Sequence, residues 1–403
     1  MRPEYGVVIV GAGMVGATLG CALAQAGLSV ALIESVLPEP FDPQSDYDLR
    51  VSAISPGSQH IFEGLGAWPA MAARRVSPYR AMEVWDGEGP GKIHFDADDL
   101  GLPELGHIIE NRVVQLALLD RLAALDAAQL IAPAAVTALE PGPENIRVRL
   151  EDGRELVAGL VVGADGAGSR VRSLAYIPVR VHDYDQIAIV ATVRTREHHR
   201  HTAWQRFLPS GPLAFLPLAD GRCSVVWSVD RHEGEVLLQL EDRDFALELG
   251  AAFAERLGGV ESVGKRASFP LRRSTAEGYL GERVALVGDA AHTIHPLAGQ
   301  GANLGLSDAA ALAEVIVASG GDPGRRSLLR RYERWRKGHN LVTANAMTGF
   351  KELFGTALPP VVLARGLGLN AVDHLIPVKR LFMRHAAGLD ADAPRLQRGL
   401  SLC

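Results

Sequence analysis

The sequence predicts an α/β chain with three parts: a discontinuous domain on a parallel sheet, an inserted and mainly antiparallel β domain, and a helical C-terminus. Three observations predict it. A short apolar run at 6–10 enters a glycine-rich turn and then an alanine-rich helical pattern, the signature of a βαβ unit. Two more apolar runs, 160–163 and 283–287, end at Asp165-Gly166 and Gly288-Asp289, far from the first and from each other. Between them, residues 180–275 alternate in period two, with turn signals at Ser210-Gly211-Pro212 and Asp220-Gly221. A chain of 403 residues with 47% hydrophobic residues has ample material for such a core.

The first unit reads Gly6-Val7-Val8-Ile9-Val10, then Gly11-Ala12-Gly13-Met14-Val15-Gly16, then helix to Ala26, with Gly27 ending it. Residues 29–33 form the next strand and Glu34 closes it, 34 − 16 = 18 positions after Gly16. In this Rossmann-like arrangement Gly11 makes the tight turn, Gly13 admits a pyrophosphate, and Gly16 lets helix pack on strand. Met14 and Val15 belong to the same cofactor-binding turn. Glu34 suits a free ribose 2′-hydroxyl and disfavours NADP here. This fingerprint alone does not separate FAD from NAD.

Further along, Asp48-Leu49-Arg50-Val51-Ser52 leads to Ser55, which caps a helix with Pro56 in its first position and Gly66 at its close. Asn111 and Arg112 precede a helical run at 113–125; on plain physics they are a helix cap and a solvated charge. The 165–172 stretch carries Asp165, Ser169 and Arg172. Read alone, Asp165 is a turn residue and Arg172 a surface charge. In the third stretch, Leu286-Val287-Gly288-Asp289 runs into a loop with Pro296, Gly299, Gln300, Gly301, Ala302 and Asn303, and a helix that Asn303 can open. Backbone N–H groups there, at the positive end of a helix dipole, point at something electron-rich.

The 286–308 run resembles, nearly residue for residue, the signature of the ubiquinone-biosynthesis aromatic hydroxylases. These are group A flavoprotein monooxygenases of the p-hydroxybenzoate hydroxylase type. The resemblance extends through Asp165-Gly166-x-x-Ser169-x-x-Arg172, Tyr79–Trp85 as a stretch, and His107-Ile108-Ile109-Glu110-Asn111. It implies FAD as cofactor, with NADH or NADPH as co-substrate and O2 as oxidant. It places Asp289 on the ribityl chain and Pro296, Gly299, Gln300, Gly301, Ala302 and Asn303 along the flavin ring. It also brings Arg50, Arg112 and Asp165 to the cofactor. The implied reaction passes an OH to an electron-rich phenol, with a polyprenylated phenol of ubiquinone biosynthesis as substrate. No catalytic side chain is identified, because the chemistry centres on the flavin.

The nucleotide domain is expected at 1–75, 105–178 and 280–335, the substrate sheet at 76–104 and 179–279, and the helical region at 336–403. Trp204, Phe207, Phe215 and Trp227 are candidates for the ring pocket, although strand aromatics more often fill cores. Residues 197–201, with three histidines, read as a solvated hairpin tip. Neither they nor Asp289, His292 and His295 match a metal geometry, and no metal is expected. The C-terminal helices are placed at 309–318, 325–354 and 361–389, the last interrupted near Pro377. Its basic, apolar segment 376–384 suits a membrane surface or a partner of a biosynthetic complex, or packing on its own domain.

A net charge of −6 gives no footprint for nucleic acid. Cys21, Cys223 and Cys403 lie far apart and suggest no disulfide framework. The apolar stretch 16–33 is broken by Gln25, Gly27 and Ser29, too soon for a membrane span. The expectation is a cytoplasmic protein, peripheral to the inner membrane. The rivals are a hydroxylase of small soluble aromatics, a flavin reductase, and a non-catalytic component of a ubiquinone-biosynthesis complex. A halogenase is disfavoured because no Trp-x-Trp-x-Ile-Pro segment occurs.

Overall fold

The computed structural model describes residues 3–294 and 300–402. Its first sheet is built on Tyr5–Val10, which pairs in parallel with Val30–Ile33 on one side and Glu155–Gly163 on the other. Ala128–Ile131 extends it beyond Val30–Ile33, and Val284–Leu286 beyond Glu155–Gly163, both in parallel. An antiparallel flap, Val136–Pro141 and Ile146–Leu150, adds to Glu155–Gly163. The strands are near-continuous aliphatic runs because helices cover both faces. Val7, Val8, Ile9, Leu160, Val161 and Val162 are fully buried. Met14–Gln25, Asn111–Ala123 and Gln300–Ser319 pack together on this core.

The second sheet holds eight strands. In order they are His292–Thr293, Val260–Ala276, Val179–Thr195, Cys223–Asp230, Gly211–Pro217, Thr202–Leu208, Ala81–Asp86 and Lys92–Asp96. Every pairing is antiparallel except Thr202–Leu208 with Ala81–Asp86. Tyr79 itself belongs to a separate three-stranded sheet of Val51–Ile54, Gly106–Glu110 and Val76–Tyr79. The α/β class, the inserted antiparallel sheet and the helical C-terminus are all present.

Period-two reading fails between residues 230 and 260. Two helices, Arg231–Gln239 and Asp242–Ala252, lie there and cover one face of the second sheet. Phe245, Leu249 and Phe253 recur at four-residue spacing and are buried, a helical period inside a stretch read as sheet. This face is where Phe215 and Trp227 go. Phe215 stacks on Phe253 with ring centroids 3.8 Å apart, and Trp227 lies beside Phe245. Phe207 stacks on Phe354 of the long helix Arg326–Gly355, and Trp204 meets Trp85 edge-on. All four candidate pocket aromatics are therefore packing residues, three of them buried and Trp204 half-buried.

Candidate functional site

The glycine turn and the two Asp-Gly segments leave from one place. Val10 is registered beside Gly163, and Gly163 beside Leu286, so three adjacent parallel strands end on the same row. Crevices beyond the carboxyl ends of such strands are where this class of sheet binds nucleotides. The row is also tight. Gly11 has φ +99°, and a Cβ there would lie 2.5 Å from the Ala164 carbonyl oxygen. A Cβ on Gly16 would meet the Gly11 oxygen at 1.9 Å. Gly13, by contrast, faces open space, with no atom of the described residues within 4 Å of where a Cβ would stand, as a cradle for phosphates requires. It is the N-cap of Met14–Gln25 and offers no side chain to cap that helix. Val15 turns inward against Gly288 and Gly305, locking the first segment to the third, while Met14 is half-buried beside it.

Glu34 stands at the end of its strand and reaches back to the turn. The Ala12 N–H donates to its Oε2 at 2.7 Å, and the Val36 N–H to its Oε1 at 3.1 Å. Gln115, from the helix Asn111–Ala123, donates to the Ala12 oxygen at 3.0 Å. Arg112 itself pairs with Asp48 at 3.0 Å and is mostly buried, so it is no free surface charge. Asn111 does not cap its helix. Its Oδ1 accepts from Ser52, and Glu110 holds the cap position.

Asp165 is committed to the chain. Its Oδ1 accepts from Ser169 Oγ at 2.5 Å, and its Oδ2 from the N–H groups of Arg170 and Val171. Its carboxylate thus caps the short helix Arg170–Leu174 and fixes the loop; its direct role is positioning. Arg172 is buried and donates to the carbonyls of Ala290 and Ala167, at 2.8 and 2.7 Å. That ties the second segment to the third, so the surface-charge reading of Arg172 is corrected.

Asp289 is different. It sits on the turn Gly288–Ala290, remains solvent-accessible, and accepts no hydrogen bond among the described residues. Its carboxyl nevertheless lies close enough to the surrounding protein to be partly desolvated. That desolvation raises its carboxyl pKa, while His292 and Arg50 pull it down. Arg50 is also exposed and lies 5.4 Å from the ring of Phe269. A carboxylate at the end of a buried strand that accepts no hydrogen bond among the described residues is available for a ligand contact.

Pro296 and Gly299 lie outside the described residues, as does His295. Gln300, Gly301 and Ala302 form the first turn of Gln300–Ser319. Asn303 lies inside this helix instead of opening it. Its Nδ2 donates to the Ala53 oxygen at 2.9 Å, and its Oδ1 accepts from Ser55 N and Ser58 Oγ. Asn303 thus ties the start of Gln300–Ser319 to the segment that carries Arg50.

The same region holds a network that motif reading passes over. Asp308, fully buried, accepts from Arg336 Nε at 2.7 Å and meets His292 Nε2 at 2.5 Å. Asn340 donates to Oδ1 at 3.0 Å, the oxygen that Arg336 uses, and the Gly288 N–H donates to Oδ2, which His292 meets. Burial alone would raise the Asp308 pKa, but His292 and Arg336 hold it well below the usual carboxylate range. One signal was available: an acid in the otherwise alanine-rich run 305–313. His199 is likewise no solvated tip residue. It is buried with Nε2 on the Leu218 oxygen, and burial pushes its pKa down to about 4.

Opposite the helix-covered face, the second sheet presents small side chains. Ala188, Val190, Ala214 and Val226 share that face by register, alternate to Ile189, Leu213 and Trp227. Phe269, opposite Ala188, is on it too, and it meets Arg50. That face therefore meets the segment that carries Arg50.

A family model described as an FAD binding domain matches residues 4–345. The chain is 43% identical to ubiquinone hydroxylase UbiL of Rhodospirillum rubrum, across 98% of this chain and 93% of that protein. It is 40% identical to the 3-demethoxyubiquinol 3-hydroxylase of Escherichia coli, across 95% and 98%. The chain belongs to the FAD-dependent ubiquinone-biosynthesis hydroxylases. The fold of this hydroxylase also matches p-nitrophenol 4-monooxygenase PnpA from Pseudomonas putida, with TM-score 0.77, 19% identity, and 96% and 98% of the two chains covered. Its residues fit the cofactor: an open phosphate cradle at Gly13, a carboxylate at Glu34, and one at Asp289 that accepts no hydrogen bond among the described residues.

Proposed function

We propose that this hydroxylase adds an oxygen atom from O2 to the ring of a polyprenylated phenol in ubiquinone biosynthesis, using NADH or NADPH, on the cytoplasmic face of the inner membrane. The observation that carries this reading is the near-full-length likeness to hydroxylases named for ubiquinone and demethoxyubiquinol. The second sheet supports it, since the face bearing Ala188, Val190, Ala214, Val226 and Phe269 offers apolar contacts for a ring, with Thr192, Ser224 and Ser228 beside them for its polar substituents. FAD, when bound, supplies the electron transfer and the oxygen chemistry. Glu34 is assigned to the ribose hydroxyls, the Gly13 cradle to the pyrophosphate, and Asp289 to the ribityl chain. The Asp308 network holds the turn on which Asp289 stands, and the small-residue sheet face keeps water from the ring.

The test is oxidation of reduced nicotinamide by the purified yellow protein, with hydroxylated product quantified under ¹⁸O2. A prenylated phenol in detergent should yield product carrying one labelled oxygen. Preference for small hydroxybenzoates with full coupling would make this a hydroxylase of soluble aromatics. A folded, FAD-loaded protein that hydroxylates neither would be an assembly component.

A further inference from the structure

The C-terminal helices Pro359–His374 and Ile376–Ala386 are turned inside out. On the first, Arg365 is buried and pairs with buried Asp86, with Nε–Oδ2 at 2.7 Å. Asn370 and Asp373 accept from the backbone N–H groups of Lys92 and His94, the outer strand of the second sheet. The polar residues thus face the protein. Leu363, Leu367 and Leu375, spaced at multiples of four with exposed Ala371 between them, face away and are 53–60% exposed. The second helix repeats the pattern. Lys379 is buried against Asp99 at 2.9 Å, and Met383 and Ala387 follow it inward, while Leu381 and Phe382 are 66% and 54% exposed.

A helix that buries its charges and shows water its leucines is built for a second, apolar environment. The charges left outside fix which one. Arg380 and Arg384 are exposed and have no carboxylate partner among the described residues, in a chain whose net charge is −6. Such a patch fits an anionic, apolar-cored surface, and it opposes a twofold contact that would bring two copies' arginines together. The two helices together are apolar enough to cross a membrane, but they bend by 91°. The first, at 16 residues, spans about 24 Å against a hydrocarbon core of about 30 Å. Neither helix alone is long enough to cross one.

We propose that residues 358–386 dock this protein on a bilayer containing anionic lipid, with Leu363, Leu367, Leu375, Leu381 and Phe382 entering the headgroup boundary and Arg380 and Arg384 on the lipid phosphates. The choice of a bilayer over a protein partner rests on the prenylated-substrate reading above. Because the platform is fastened to the outer strands of the second sheet, it sets that sheet beside the lipid.

The experiment is co-sedimentation of the full-length, FAD-loaded protein with phosphatidylcholine vesicles, with and without phosphatidylglycerol. Wild type should sediment with the mixed vesicles, less so as salt rises. Leu367→Glu/Leu381→Glu should weaken partitioning by about tenfold or more, with flavin content and Tm unchanged because both side chains point outward. Arg380→Gln and Arg384→Gln should each cost roughly fivefold, and only on anionic vesicles. Absence of vesicle binding, or leucine variants that bind like wild type, would overturn the proposal. So would a wild-type dimer in light scattering that the leucine variant abolishes, since a second copy would then cover the patch. Turnover in detergent is unaffected by any of these outcomes, so this proposal and the substrate reading fail separately.

Discussion

Asp289 and Asp165 look alike in sequence, each an acid beside a glycine after an apolar strand, yet their surroundings divide them. Asp165 spends both oxygens on Ser169, Arg170 and Val171, whereas Asp289 keeps its carboxylate open. Asp289→Asn should therefore weaken FAD binding by roughly ten- to a hundredfold, the worth of a hydrogen bond to a charged group. Its effect on the apo-protein has the opposite sign. A carboxyl whose folded pKa is raised opposes folding once pH passes its unfolded value near 4, so losing that charge should leave the apo Tm at neutral pH unchanged or higher. Flavin retention on desalting, set beside Tm of the stripped protein, checks both halves. A fall in both would make Asp289 a structural cap.

At the scale of elements, Asp308 joins its own helix to the turn at Gly288, the adjoining strand at His292 and the long helix at Arg336. Replacing Asp308 by Asn leaves the Arg336 guanidinium buried without its counter-ion, at a cost of about 3–5 kcal/mol. The pH dependence follows from a depressed folded pKa. The stabilisation is fully present above the unfolded value near 4 and is lost as pH falls below it. Urea unfolding should show a constant gap between wild type and Asp308→Asn above about pH 5 and a shrinking gap below about pH 4. This network also marks the limit of sequence reading. The strands at 5–10 and 284–286 were legible as unbroken aliphatic runs, and Gly11 and Gly16 as close approaches. The partners of Asp308 were not, because no local pattern says which of many arginines on an amphipathic helix turns inward. The helices at 231–252 were missed for a related reason: their buried residues sit between strands, and the alternation on either side masked a change of period. The tie of Asn303 to Ala53 and Ser55 spans some 250 positions and has no local signal.

For the whole molecule, attachment of the C-terminal helices rests on few groups. Arg365 makes both contacts to Asp86 and also donates to the carbonyls of Leu353, Phe354 and Thr356, closing the turn before its own helix. Arg365→Met should strand the Asp86 carboxylate in a dry site and loosen helices 359–386 without disturbing the nucleotide sheet. Limited proteolysis should then cut near residue 356 at a rate at least about tenfold above wild type, while the flavin spectrum stays the same; equal cutting rates would show the helices held by packing alone.

The registered row Val10, Gly163 and Leu286 also has a consequence for how the chain is made. A ribosome adds roughly 5–20 residues per second, so the glycine turn leaves the exit tunnel well before the strand that completes its neighbourhood is translated. For that interval the first strands expose an unfinished aliphatic edge. The second sheet, whose strands from Val179 to Ala276 are mostly contiguous in sequence, can assemble meanwhile. A nascent chain halted before residue 284 should be a chaperone client with half its molecule folded, and one released after it should become competent for FAD only at the end of synthesis.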